Sequence, residues 1–154
     1  MLRRFLFLLT MAIAMSGCAG YQDTSRQRMQ GLTQHYSQFD LEMGWNYRVA
    51  DGTTLIDGMV KNVRFQVMYD LEIRVEVVAP KQKVTARAVT LVIPRQLNLD
   101  ESAPFSLKLP LAVQPGNRLV FTYRYRGNEG GGFGSGLEAG TDWMQSFEAV
   151  VPQK

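Results

Sequence analysis

From residue 67 to residue 77 apolar and charged positions alternate almost without interruption. Val67, Tyr69, Leu71, Ile73, Val75 and Val77 fall on one side, and Asp70, Glu72, Arg74 and Glu76 on the other. A period of two predicts a strand with one buried and one wetted face. Wound as a helix, the same apolar set would scatter around the axis. Similar segments recur from Phe39 onward. Residues 43–49 and 54–61 predict two strands joined at Asp51-Gly52, a strong hairpin signal. Residues 84–93 predict another, ended by Pro94, which cannot donate to a ladder. Phe105, Leu107, Leu109 and Leu111 alternate with Ser106, Lys108 and Pro110, and the prolines at 104 and 110 point to a sheet edge. Gln114-Pro115-Gly116-Asn117 reads as a tight turn. Beyond it Leu119, Phe121, Tyr123 and Tyr125 oppose Thr122, Arg124 and Arg126, and residues 143–151 supply a last strand.

Seven short strands with regular turn signals predict an all-β fold, a seven-stranded immunoglobulin-like β-sandwich over residues 39–154, with a small barrel as the alternative. The Cys–Trp–Cys pattern of antibody domains is absent. Residues 19–38 break the pattern. They are polar and rich in glutamine, with Met29, Leu32 and Tyr36 at a helical spacing that Gly31 interrupts. They read as a tether with room for one short helix.

The first residues follow a third pattern. Arg3 and Arg4 precede an uncharged, mostly apolar run from Phe5 to Met15, then come Ser16, Gly17 and Cys18. A helix of that run would reach about 16 Å, half of a ~30 Å hydrocarbon core, so a secretory signal fits better than a membrane span. Met15-Ser16-Gly17-Cys18 resembles the lipobox of bacterial lipoproteins: an apolar residue, two small ones, then cysteine. That resemblance implies a signal peptide over residues 1–17, cleavage before Cys18, and diacylglyceryl and acyl chains (palmitate among them) on Cys18. It also divides the chain into signal peptide 1–17, lipidated Cys18 with polar tether 18–38, and sandwich 39–154. The other reading is an ordinary signal cut near Ala19 or Gly20. Several acyl chains on one residue give stable membrane attachment. Ala19 after the cysteine, in place of Asp, implies the outer membrane, facing the periplasm, under the sorting rule of such lipoproteins.

Ile56-Asp57-Gly58-Met59-Val60-Lys61-Asn62, followed by the alternating strand at 67–77 and by Pro115-Gly116 before Leu119-Val120-Phe121, resembles the FxLYD-type immunoglobulin-like domains of bacterial envelope proteins. That resemblance supports the fold; it does not carry a function.

Composition narrows the chemistry. The chain has 17 basic and 14 acidic residues; loss of Arg3 and Arg4 with the signal would leave 15 against 14, so nucleic acid is not an expected partner. Cys18 is the sole cysteine, so no disulfide within the chain supports the domain. His35 is the sole histidine, which leaves no set of residues for a triad or a zinc site. Asp70, Glu72 and Glu76 with Arg74 read as a solvated sheet face. Trp45, Tyr47, Tyr123, Tyr125 and Trp143 invite a sugar platform, but residues of this kind are needed in a small core. No enzyme, cofactor or metal is expected.

The unusual stretch is Gly127–Gly140. Its centre, Gly130, Gly131, Gly132, Phe133, Gly134, Ser135, Gly136 and Leu137, fits neither a phosphate loop nor a dinucleotide fingerprint. It reads either as a plain connector or as a partner-binding loop, since loops of this length without their own structure are usually functional or disordered. The expectation is a lipid-anchored envelope protein with a non-enzymatic role in protein–protein interaction or assembly. A binder or carrier of a small envelope glycan or lipid is the alternative, and an envelope hydrolase ranks third.

Overall fold

The computed structural model describes residues 19–79, 83–128 and 140–152. One helix, α1 (Ala19–Gln30), precedes nine strands: β1 (Gln34–Ser37), β2 (Leu41–Ala50), β3 (Thr53–Asn62), β4 (Val67–Ala79), β5 (Lys83–Leu91), β6 (Gln96–Leu97), β7 (Ser102–Leu109), β8 (Arg118–Asn128) and β9 (Thr141–Val150). All pairings are antiparallel, and they form two sheets of strand order β1-β2-β3-β7 and β5-β4-β8-β9, with β6 also on β4. The fold is an immunoglobulin-like β-sandwich, and all seven strands expected from the alternation are present. Two short strands and the helix add to them.

The inner faces carry the apolar positions. Leu41, Met43 and Trp45 of β2 and Ile56 and Val60 of β3 meet Ile73, Val75 and Val77 of β4 and Leu119, Phe121 and Tyr123 of β8, all buried. Trp45 lies 4.7 Å from Phe121, which stacks at 5.0 Å on Phe147. Ala50 and Thr53 pair across Asp51-Gly52, both at positive φ, as a two-residue hairpin turn requires. Gly116 at φ 85° lets Asn117 N–H return to Gln114 O at 3.0 Å, the turn expected there. β7 lies at a sheet edge, as Pro104 predicted.

One strand departs from its sequence pattern. Val67 and Tyr69 were expected to share the inner face with Leu71, but they are half-exposed and Met68 is buried instead. The cause is a bulge: Tyr69 pairs with Arg126 and Glu72 with Arg124, so β4 carries one extra residue between them. Asp70, at φ 53°, takes up the kink.

The polar segment before Phe39 is partly built into the fold. α1 ends where Gly31 N–H bonds Gln27 O at 3.1 Å, and it lies on the outer face of the first sheet. A Cβ on Gly44 would come within 2.9 Å of both Met29 Sδ and Leu32 Cδ1, so the glycine is what lets these side chains approach the sheet. Met59 is buried on the same outer face. β1 pairs with β2 and places Tyr36 against Phe147, ring planes 3.6 Å apart at centroid and nearly parallel. Tyr36, read with Met29 and Leu32 as one helical stripe, is in a strand.

Candidate functional site

Chain connections gather at one end of the sandwich. Residues 38–40 enter β2 there, 62–66 cross from one sheet to the other, 98–101 enter β7, and Asn128 and Thr141 bound the glycine-rich connection. Asn62 holds this end together. Its Nδ2 donates to Gln66 O (2.8 Å) and Leu97 O (2.9 Å), and its Oδ1 accepts from Arg64 N–H (2.8 Å). Its own N–H donates to Glu101 O at 3.0 Å, and its carbonyl accepts from Asp100 N–H at 2.8 Å. One buried side chain thus ties the 63–66 connection and β6 to β3, and its main chain adds the 98–101 loop.

Asp40 is fully buried beside it. Its two carboxyl oxygens accept from Tyr123 Oη at 2.8 Å and Tyr125 Oη at 2.9 Å. Burial first, and then these bonds to Asp40, raise both phenols well above the ordinary tyrosine range. Tyr123 and Tyr125 sit two apart on β8 and so share the inner face. A strand that turns two hydroxyls inward needs an acceptor, and Asp40 supplies it. The arrangement is a satisfied buried network; of the rings that sequence offered as a sugar platform, Trp45, Tyr123 and Tyr125 are core, and Tyr47 and Trp143 are partly buried against it.

Above the network the surface becomes apolar and cationic. The Arg64 guanidinium lies 4.2 Å from the Trp143 ring centroid and 5.5 Å from that of Phe39. Phe39 is 56% exposed and Phe65 is 82% exposed. Nearby, Arg95 and Arg126 both pair with Asp70, and with Arg126 contributing most they hold its carboxyl below the usual range. Other charges of the second sheet's outer face pair as well: Arg124 donates twice to Glu72, and Arg87 reaches Glu76 at 2.6 Å. That face is the solvated one expected from Asp70, Glu72, Arg74 and Glu76.

Two further surfaces stand out. β5 pairs only with β4, and its other edge carries no strand among the described residues. Val89, Leu91 and the following Ile93 are each more than half exposed along it. Beneath α1, an open groove of about 530 Å³ is lined by Arg28, Leu32, Asn46, Asp57, Met59 and Pro104, among others.

Cys18 and the segment Gly130, Gly131, Gly132, Phe133, Gly134, Ser135, Gly136 and Leu137 lie outside the described residues. His35 is in β1, exposed, with Nε2 2.7 Å from Leu32 O. Among the described residues no group of three or more His, Cys, Asp or Glu is placed to hold a metal, and no helix is long and apolar enough to cross a membrane. Asp40 and Arg64 were missed from sequence. Two inward tyrosines without a visible partner were the signal for Asp40; Arg64 and Trp143, 79 positions apart, offered none.

No family model and no curated protein matches the sequence. Solved structures do match. The GAE domain of GGA2p from Saccharomyces cerevisiae has 11% identity and a TM-score of 0.53, over 79% of this chain and 97% of that one. The yeast GGA1 GAE domain has 10% identity and a TM-score of 0.53, over 78% of this chain and 100% of that one. At such identity the likeness concerns the fold alone.

Proposed function

We propose that the chain is a lipid-anchored envelope protein, attached through Cys18, whose sandwich is a non-enzymatic protein–protein interaction or assembly domain. The observation that supports this best is the free edge of β5. Along its nine residues alternate main-chain N–H and C=O groups face away from β4, and Val89, Leu91 and Ile93 stand beside them in solvent. An extended segment of an envelope partner adds there as a further strand: the main chain supplies affinity, and the apolar row selects side chains. The loop from Gly130 to Leu137 is a second contact in this reading.

Val89→Lys with Leu91→Lys leaves the core intact and is expected to abolish capture of the partner from cross-linked membranes. An unchanged set of cross-linked proteins would sink the β5 assignment. Replacing Gly130–Gly136 by a short turn asks the same of the loop. For the anchor, incorporation of an alkynyl fatty acid is expected to disappear in Cys18→Ser, and persistent labelling rejects it.

A second reading, a small glycan or lipid ligand, has the groove under α1 in its favour. Its volume falls within the range of small-molecule sites, roughly 300–1,000 Å³. Its mixed lining of Arg28, Asp57 and Asn46 with Leu32 and Met59 suits an amphipathic ligand. Equilibrium dialysis against labelled envelope glycans and lipids tests it, and absence of binding removes it.

A further inference from the structure

The direction of α1 bears on where the membrane lies. Its last turn sits at the level of Gly44 and Met59, where Met29 and Leu32 touch the sheet. Arg26, earlier in the helix, lies near Asp100, where with Lys61 as the stronger influence it helps lower the carboxyl's pKa. Lys61 and Asp100 (2.7 Å apart) belong to the end of β3 and the loop before β7. Toward its amino terminus the helix therefore advances to the end of the sandwich where the loops gather. From Arg26 to Ala19 it continues for about 10 Å at roughly 1.5 Å per residue. Cys18 is covalently the next residue.

The same end carries the exposed aromatic side chains. Among the described residues the exposed large hydrophobics include two aromatics, Phe39 and Phe65, and both are here, with Leu99 45% exposed in the loop that also holds Asp100. Arg64 lies over the Trp143 ring and beside Phe39, and Arg95 and Arg126 share the carboxylate of Asp70, with Asp142 opposite Arg126 on β9. The far end, at Asp51-Gly52 and 110–117, has no exposed aromatic among the described residues. Phenylalanines flanked by arginines are the composition of surfaces that settle into lipid headgroups.

We infer that the loop end docks on the lipid surface that holds Cys18, with Phe39 and Phe65 seated in the headgroup layer. The inference rests on the lipid-anchor reading. It assigns these residues to the bilayer and leaves the β5 edge, which runs along the side of the sandwich, open to a partner on the same membrane.

The test uses the full lipidated chain in protein-free vesicles of phosphatidylethanolamine and phosphatidylglycerol whose acyl chains carry bromine. In that protein the Cys18 sulfur is a thioether, so one introduced thiol takes an environment-sensitive fluorophore selectively. The probe at Phe65→Cys is expected to shift to the blue and to be quenched by the brominated chains. The probe at Asp51→Cys, at the far end, is expected to keep its aqueous emission. Equal quenching at both positions, or none at Phe65, overturns the docking. So does shielding of Phe65 that appears only in native envelope, because a protein then covers that end. Chain without incorporated fatty acid rejects the anchor reading and this inference with it, whereas lipidated chain with an unquenched Phe65 probe rejects the docking alone.

Discussion

Asp40 is the residue on which the loop end depends. Without its carboxyl two phenolic hydroxyls remain inside the sandwich with no acceptor, at a cost of about 1–3 kcal/mol for each buried group left unpaired. Asp40→Ala is therefore expected to lower stability by about 2–5 kcal/mol in denaturant unfolding, and Asp40→Asn, which keeps one acceptor, by less. Tyr123→Phe leaves Asp40 with a single hydroxyl donor and is expected to fall between the two. The same bonds set an alkaline limit. Tyrosines of the unfolded chain ionise near their ordinary value of 10.0, whereas Tyr123 and Tyr125 stay protonated in the fold. Their raised values stabilise the fold fully below pH 10.0 and progressively less above it. Native-state titration of phenolate absorbance is expected to omit two tyrosines, which appear only as the domain unfolds. Two tyrosines titrating with the others before any loss of structure would show that the network does not hold them.

At the scale of elements, Gly44 decides whether α1 lies on the sheet. Met29 and Leu32 occupy the space a side chain would take, so Gly44→Val is expected to release the helix. Trypsin should then cut at Arg26 and Arg28 much faster, while the unfolding midpoint of the sandwich moves little. Unaltered cleavage would mean that other contacts hold α1. Asp70 acts on the β4 bulge in the opposite direction of pH from the tyrosines. Its depressed pKa makes the pairing with Arg126 and Arg95 persist above the ordinary value of 3.8 and fail as pH falls through the lower folded value. Its carboxyl resonance is expected to titrate below 3.8. The long strands were legible because a buried face forces alternation. The bulge was not, because Val67 and Tyr69 continue the alternation in sequence while an extra residue in space reverses it. β1 was illegible for another reason: in Gln34-His35-Tyr36-Ser37 only Tyr36 is apolar enough to mark an inner face.

For the molecule as a whole, the sandwich was readable and its candidate surfaces only partly so. Buried faces leave a period in the sequence. A free edge such as β5, or a stack such as Arg64 on Trp143, arises from strands that meet only after folding. With Cys18 as the sole cysteine, reductant is expected to leave the thermal midpoint unchanged, and any shift would expose a cross-link between copies. The placement of α1 and β1 has a mechanical consequence. A pull on the amino terminus first loads the side-chain contacts of Met29 and Leu32 over Gly44, and then β1, four residues long at the sheet margin. Both can yield while β2 to β9 remain paired. Residues 19–38, drawn out at roughly 3.4 Å each, would reach about 70 Å end to end. The segment would then act as a spooled leash, short at rest and extensible under load without unfolding the sandwich that follows it.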